Sequence, residues 1–201
     1  VAVRAAFRAV LNNRQVALLC PTTILADQHF ETFKERFSSF PVSVERLSRL
    51  EQPAAQKKAL QNLAQGKTDI IIGTHRLLSS DVAFQNLGLL IIDEEQRFGV
   101  KQKEYIRTLK QNIDVISLSA TPIPRTLNFA LSGLRPMSVI TTPPKNRIAP
   151  KTFVLPFSRQ VIKNAIDAEL ARGGQIYFLC NRIGRMPMMK DYITEIQPKA
   201  R

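Results

Sequence analysis

Histidine and cysteine are scarce, with two of each in 201 residues. Cys20, Cys180, His29 and His75 fall at no metal-ligand spacing, which argues against a zinc module. Each cysteine closes an apolar run, Val16-Ala17-Leu18-Leu19-Cys20 and Ile176-Tyr177-Phe178-Leu179-Cys180. They read as small buried hydrophobes in a reducing compartment, not as a disulfide framework. No apolar run approaches the roughly 20 residues of a membrane span, and the N-terminus carries no signal-peptide pattern. The expected location is therefore cytoplasmic, with no membrane partner. Internal repeats and low-complexity tracts are absent, which excludes a repeat array. Acidic residues are missing altogether from 115 to 166.

What is present is a basic, ordinarily apolar chain. Twenty-nine Lys and Arg against 16 Asp and Glu give a net charge of +13, with 44% hydrophobic and 22% charged residues. The length gives room for one domain, or one domain and part of another. The acid-free stretch holds Arg125, Arg135, Lys145, Arg147, Lys151, Arg159 and Lys163, and seven of the 12 prolines. A polyanion partner and a solvated basic face account for that charge equally well.

Short, continuously apolar runs at 16–20, 70–72, 89–92, 115–118 and 139–140 read as strands buried on both faces, as in a parallel sheet between helices. Helical patterns alternate with them. Ala26, Phe30, Phe33 and Phe37 share one face, and a helix over 53–64 is closed by Gly66. Residues 1–11 form a helical stripe with no N-cap residue, so the chain is expected to start inside a larger unit. The alternation predicts a doubly wound α/β domain over 1–140. A proline-broken linker follows over 141–151. The pattern then restarts over 152–201, with strands at 152–155 and 175–180 around a helix at 161–171. One such unit cannot bury both faces of a sheet, so this segment is expected to open a second domain.

The chemistry collects at strand ends. Leu89-Leu90-Ile91-Ile92-Asp93-Glu94-Glu95-Gln96 runs a buried strand into adjacent carboxylates at the edge where α/β sheets bind ligands. In nucleotide hydrolases such an aspartate orients Mg²⁺ at the phosphates, and the next carboxylate positions or deprotonates the attacking water. An acidic turn after a core strand would look the same. Ser119-Ala120-Thr121, at the next strand's end, is a small hydroxyl-bearing element placed to sense nucleotide. Pro122 and Pro124 stiffen the loop that leads to Arg125, a phosphate-binding side chain. Pro21-Thr22-Thr23 opens a helix with hydroxyls and free N–H groups suited to a nucleic-acid backbone. Gly73-Thr74-His75 follows another strand with the same chemistry. Gly66-Lys67-Thr68 is no phosphate cradle. Gln61 stands where the first glycine belongs, and the order is helix, motif, strand, not strand, loop, helix.

Taken in chain order, the elements beginning at Pro21, Gly73, Asp93 and Ser119 resemble motifs Ia, Ib, II and III of the superfamily-two helicases. Arg97-Phe98-Gly99 and the Pro122-to-Thr126 extension are similar to the group that holds RecG and the bacterial transcription-repair coupling factors. Asp81-Val82-Ala83-Phe84, the stretch from Leu127 to Gly133 and Gly173-Gly174-Gln175-Ile176-Tyr177 resemble the coupling factors more closely. The resemblance implies a RecA-like (P-loop NTPase) sheet followed by the start of a second RecA-like domain. It implies an ATP- and Mg²⁺-dependent translocase on double-stranded DNA that displaces stalled RNA polymerase and couples transcription to excision repair. It also implies that RNA polymerase and the repair proteins bind through regions outside this chain. The roles it implies are catalysis for Asp93, Glu94 and Gln96, with Asp93 holding Mg²⁺ through water, and coupling for Ser119, Ala120 and Thr121. Backbone contacts to DNA are implied for Pro21, Thr22, Thr23, Gly73, Thr74, His75 and Arg125. Gln96 stands where close members of the group often carry His. The P-loop is expected before Val1 and the second-domain arginine after Arg201, so the chain alone is expected to be inactive. A RecG-like branch-migrating helicase and a non-catalytic nucleic-acid-binding module are the competing readings.

Overall fold

The computed structural model describes residues 1–49, 51–109, 112–120, 137–142 and 150–198. The chain divides into two compact units, Val1–Ser138 and Val139–Arg201.

In the first unit the order is α1 (Ala2–Leu11), β1 (Gln15–Leu19), α2 (Thr23–Phe37), β2 (Val44–Leu47), α3 (Pro53–Ala64), β3 (Ile70–Gly73), β4 (Leu87–Asp93), α4 (Val100–Leu109) and β5 (Asp114–Leu118). The strands form one sheet in the order β2-β3-β1-β4-β5. Every pairing is parallel. Because side chains alternate across a strand, each central strand feeds two cores. Val16, Leu18, Ile70, Ile72, Leu89 and Ile91 pack with Ala6, Ala26, Phe33 and Phe37 of α1 and α2. Ala17, Leu19, Ile71, Leu90 and Ile92 pack on the opposite face with Leu63, Leu77, Phe98 and Ile106. Burial on both faces is why these strands read as unbroken apolar runs.

Polar anchors set the strand starts. Gln15 is buried, and its amide donates to the carbonyls of Leu63 and Thr68, both at 2.9 Å, while its carbonyl accepts from Asn86 N–H at 2.9 Å. One side chain thus ties the end of α3, the approach to β3 and the approach to β4 to β1. Gly66 closes α3 at φ +70°. Its N–H reaches Leu63 O at 3.1 Å, and Lys67 N–H reaches Asn62 O at 2.9 Å. This paired capping requires the left-handed conformation that glycine adopts freely. Lys67 and Thr68 therefore lead from a helix into a strand, and Thr68 is fully buried, where no phosphate could reach its hydroxyl.

Two elements are absent from the sequence reading. β2 carries two charged residues, Glu45 and Arg46, between Val44 and Leu47, and lies at the edge of the sheet among the described residues. Arg46 donates to Asp27 and Glu51, each at 2.6 Å, and Asn62 donates to Glu45 at 2.7 Å. α4 follows the acidic motif and buries Ile106. The expected strand at 139–140 is not formed among the described residues, where Val139 is 70% and Ile140 74% exposed. The expected motif residues 121–136 lie outside the described residues.

The second unit contains α5 (Arg159–Ala171) and α6 (Met186–Ile196). Phe157 meets Tyr192 at 5.6 Å between ring centroids. Arg159 pairs with Glu195 at 2.9 Å, and Gln197 donates to Asp167 at 2.7 Å. The expected strands at 152–155 and 175–180 do not form a ladder. Among the described residues neither run finds a hydrogen-bonded neighbour, and a pair of strands alone would leave its faces in water.

The two thiols differ in environment. Cys20 is fully buried at the end of β1, whereas Cys180 is half-buried with its thiol 3.4 Å from Arg182 O. Burial, and then the nearby Asp93 carboxylate, push the Cys20 thiol up to about 12, against about 8.5 in an unfolded chain. The folded state therefore holds that proton more tightly. Its stabilising effect is complete below pH ~8.5 and is lost as pH rises towards the folded value. At pH 8 a thiol reagent should label Cys180 promptly and Cys20 only upon unfolding. A Cys20→Ala variant should lose less stability than wild type on going from pH 8.5 to 11.

Candidate functional site

Parallel pairing brings the carboxyl ends of all five strands to one edge. The register aligns Leu19 with Gly73 and Ile92, and Asp93 with Leu118. Cys20 N–H bonds Gly73 O at 2.8 Å, and Glu94 N–H bonds Leu118 O at 2.9 Å. The loops beginning at Cys20, Thr74, Glu94 and Ser119 therefore stand side by side. Strand order divides them. The Gly73 and Pro21 loops hang from β3 and β1, and the Asp93 and Ser119 loops from β4 and β5.

The β4–β5 half carries the carboxylates. Glu94 has φ 52°, a left-handed conformation costing a non-glycine residue about 1–3 kcal/mol, and one that clusters at functional sites. Its neighbours fix it. The Glu94 carboxylate accepts from Gln96 Nε2, from Ala120 N–H at 3.3 Å and from the Ser119 hydroxyl at 3.4 Å. Ser119 also lies 3.4 Å from Gln96 Oε1, and the Ser117 hydroxyl donates to Glu95 at 2.6 Å. The catalytic and coupling candidates Glu94, Gln96, Ser119 and Ala120 are thus one hydrogen-bonded cluster. Thr121 lies outside the described residues.

Asp93 faces the other way. Its Oδ2 is 2.8 Å from His29 Nε2, and both side chains are partly buried. With the carboxylate as acceptor, Nε2 carries the proton. Among the described residues no three His, Cys, Asp or Glu side chains converge as a metal cage. A hydrated Mg²⁺ ion would fit this donor set, with the Asp93 carboxylate holding it through water.

On the β3–β1 half, Thr22 caps α2. Its hydroxyl accepts from Leu25 N–H at 3.3 Å and the residue is exposed. Pro21 and Thr23 flank it, half-buried. Gly73 is a packing glycine, because a Cβ there would lie 2.3 Å from Leu47 O and 3.0 Å from the Leu77 side chain. Thr74 is 3% exposed. His75 is held below the usual imidazole value, first by burial and then by the Arg49 charge. Arg76 is committed to Asp81 through bonds of 2.7 and 2.6 Å. Arg125 lies outside the described residues. Elsewhere, an open groove of about 460 Å³ runs between Phe30, Arg46 and Ala55, and none of these candidates lines it.

Sequence reasoning passed over His29. Its available signal was position, two helical turns after the Thr22 cap on a helix that starts at the site edge.

Residues 1–129 match the DEAD/DEAH box helicase family. The chain belongs to that family. It is 55% identical over its full length to the transcription-repair-coupling factor of Haemophilus influenzae and 51% identical to that of Escherichia coli, covering 18% of each. The Bacillus subtilis protein of the same name is 52% identical over the whole chain, which covers 17% of it. The chain thus spans under a fifth of the length of these relatives. A solved structure of RecG bound to a three-way DNA junction is 34% identical with a TM-score of 0.75, over 97% of this chain and 26% of RecG. The DUF1998 helicase MrfA, bound to DNA and AMPPNP, shares the fold at 17% identity and a TM-score of 0.64, over 94% of this chain and 30% of that one. The five-stranded parallel sheet and its flanking helices are a RecA-like α/β fold, as DEAD/DEAH helicases have. Family membership implies nucleotide binding. Among the described residues no helix is long and apolar enough to cross a membrane.

Proposed function

We propose that this chain is part of an ATP-driven motor on double-stranded DNA. In the full-length protein, the motor displaces stalled RNA polymerase and couples transcription to excision repair. The observation that carries the reading is the Asp93–Glu94 pair at the carboxyl edge, with Glu94 bonded to Ser119 and Ala120 of the neighbouring strand's loop. Identity of 51–55% to the three coupling factors across all 201 residues supports the specific version.

In this reading Asp93 would hold a hydrated Mg²⁺, which would supply charge neutralisation at the phosphates. Glu94 orients the attacking water and accepts its proton. Ser119 and Ala120 hold the Glu94 carboxylate, so movement of their loop changes its aim, and Gln96 shares the same contact. Pro21, Thr22 and Thr23 present the N-terminus of α2 to a DNA phosphate. Thr74, being buried, contributes through its loop backbone beside His75. Arg125 supplies a further phosphate contact. Such contacts set position and register on the duplex without reading sequence. The polymerase and repair partners engage regions of the full-length protein outside this chain, which acts in the cytoplasm.

The RecG likeness supports a second reading, branch migration of forked DNA. One experiment separates them. RNA polymerase is halted on a template by nucleotide starvation, and the full-length protein is added with ATP. Transcript release, lost in Glu94→Gln, is the expected result. Branch migration of a model fork without transcript release would favour the RecG-like reading, and a protein that binds DNA but hydrolyses no ATP would leave only a binding module.

A further inference from the structure

Strand order separates the loops proposed to meet DNA from the carboxylates proposed to meet nucleotide, and one side chain crosses that division. His29 belongs to α2, whose N-cap is Thr22, and it bonds Asp93 at the end of β4. We propose that His29 is a positioning residue that fixes the Asp93 carboxylate for its cation and ties that carboxylate to the DNA-facing helix. This inference rests on the motor reading above.

Three observations converge on it. The 2.8 Å contact engages one oxygen, Oδ2, leaving Oδ1 to face a hydrated ion. The pair is partly shielded, with side-chain exposures of 26% for His29 and 18% for Asp93, so water competes poorly for the bond. At the end of β1, the strand paired with β4, Cys20 is fully buried, so that side of the site is closed to water. A terminal carboxylate torsion is broad and has no sharp preference of its own. The imidazole N–H supplies that preference, as hydrogen-bonded partners of ligating carboxylates do in metal sites generally. His29 also lies seven residues from Thr22, and positions i and i+7 share a helix face. A displacement of α2 by a phosphate at its N-terminus therefore carries the imidazole, and with it the aim of Asp93.

The test uses the full-length protein and a fluorescent ATP analogue, titrated with Mg²⁺ and separately in EDTA. His29→Leu should raise the Mg²⁺ concentration for half-maximal binding about tenfold, the lower end of the range for lost outer-shell partners. Binding in EDTA and the thermal midpoint should stay at wild-type values. His29→Gln, whose amide also offers an N–H, should recover most of the shift. The proposal is overturned by a shift under twofold in His29→Leu. It is equally overturned by a His29→Gln variant as impaired as His29→Leu, or by parallel loss of EDTA binding and thermal stability. A wild-type protein whose nucleotide binding ignores Mg²⁺ would overturn the motor reading and this inference together. A Mg²⁺-dependent wild type with an unshifted His29→Leu would overturn the inference alone.

Discussion

Glu94→Gln in the full-length protein should lower ATP turnover by about 10²–10⁴-fold, the range for loss of a positioned general base, with nucleotide affinity within a few-fold of wild type. The amide keeps the shape of the side chain and one oxygen able to accept from Ala120 N–H, but it cannot take a proton from water. Asp93→Asn should divide the effect differently. It removes the charge facing the cation, so Mg²⁺-dependent nucleotide affinity falls along with turnover. Steady-state phosphate release and fluorescent-nucleotide titration of both variants give the comparison. Equal losses of affinity in the two would show that the roles of Asp93 and Glu94 are not separable as assigned.

Gly73→Ala should destabilise the first unit by about 1–3 kcal/mol, as overpacking of a filled interior does. The upper half of that range is expected because the nearest atom to the new methyl, at 2.3 Å, is the Leu47 carbonyl oxygen. Backbone in the β2–β3 ladder moves less cheaply than a side-chain tip. Gly99→Ala is the matched control, since its Cβ would meet only the end of the Gln102 side chain at 3.3 Å. Urea unfolding of the chain followed by far-ultraviolet circular dichroism should show the midpoint lowered in Gly73→Ala and nearly unmoved in Gly99→Ala. Similar midpoints would mean that β2 yields readily, and that Gly73 is required by the site and not by the packing.

The parts of this fold that were legible in the sequence are those whose burial leaves a one-dimensional trace. β1, β3 and β4 are apolar on successive residues because helices cover both faces. The helix at 53–64 announces its end through Gly66. β2 left no such trace. Val44-Glu45-Arg46-Leu47 is neither a continuous apolar run nor an alternating one, is four residues long, and owes its pairing to β3, not to its own pattern. The runs at 139–140, 152–155 and 175–180 show the opposite error: β-forming side chains are present, but a strand exists only with a hydrogen-bonded neighbour. The same distinction governs the site. Asp93 and Ser119 could be singled out because each directly follows an apolar run, with Glu94 and Ala120 next in the chain. The contact of His29 with Asp93, 64 residues apart, depends on how α2 is laid across the sheet, and no local spacing encodes that.

The charged edge strand has a consequence for how such a sheet is made. An edge strand presents unpaired backbone groups to any other extended chain, and a sheet with an apolar edge invites intermolecular growth. The middle of β2 is Glu45 and Arg46, and Arg46 is held by Asp27 and Glu51. A second chain adding to that edge would have to part those ion pairs and desolvate the charges. Ile70, Ile71 and Ile72 of β3, the neighbouring strand, form the kind of short β-branched segment that seeds aggregates when exposed. β2 thus covers an aggregation-prone strand with one that a neighbouring molecule could extend only by parting those ion pairs.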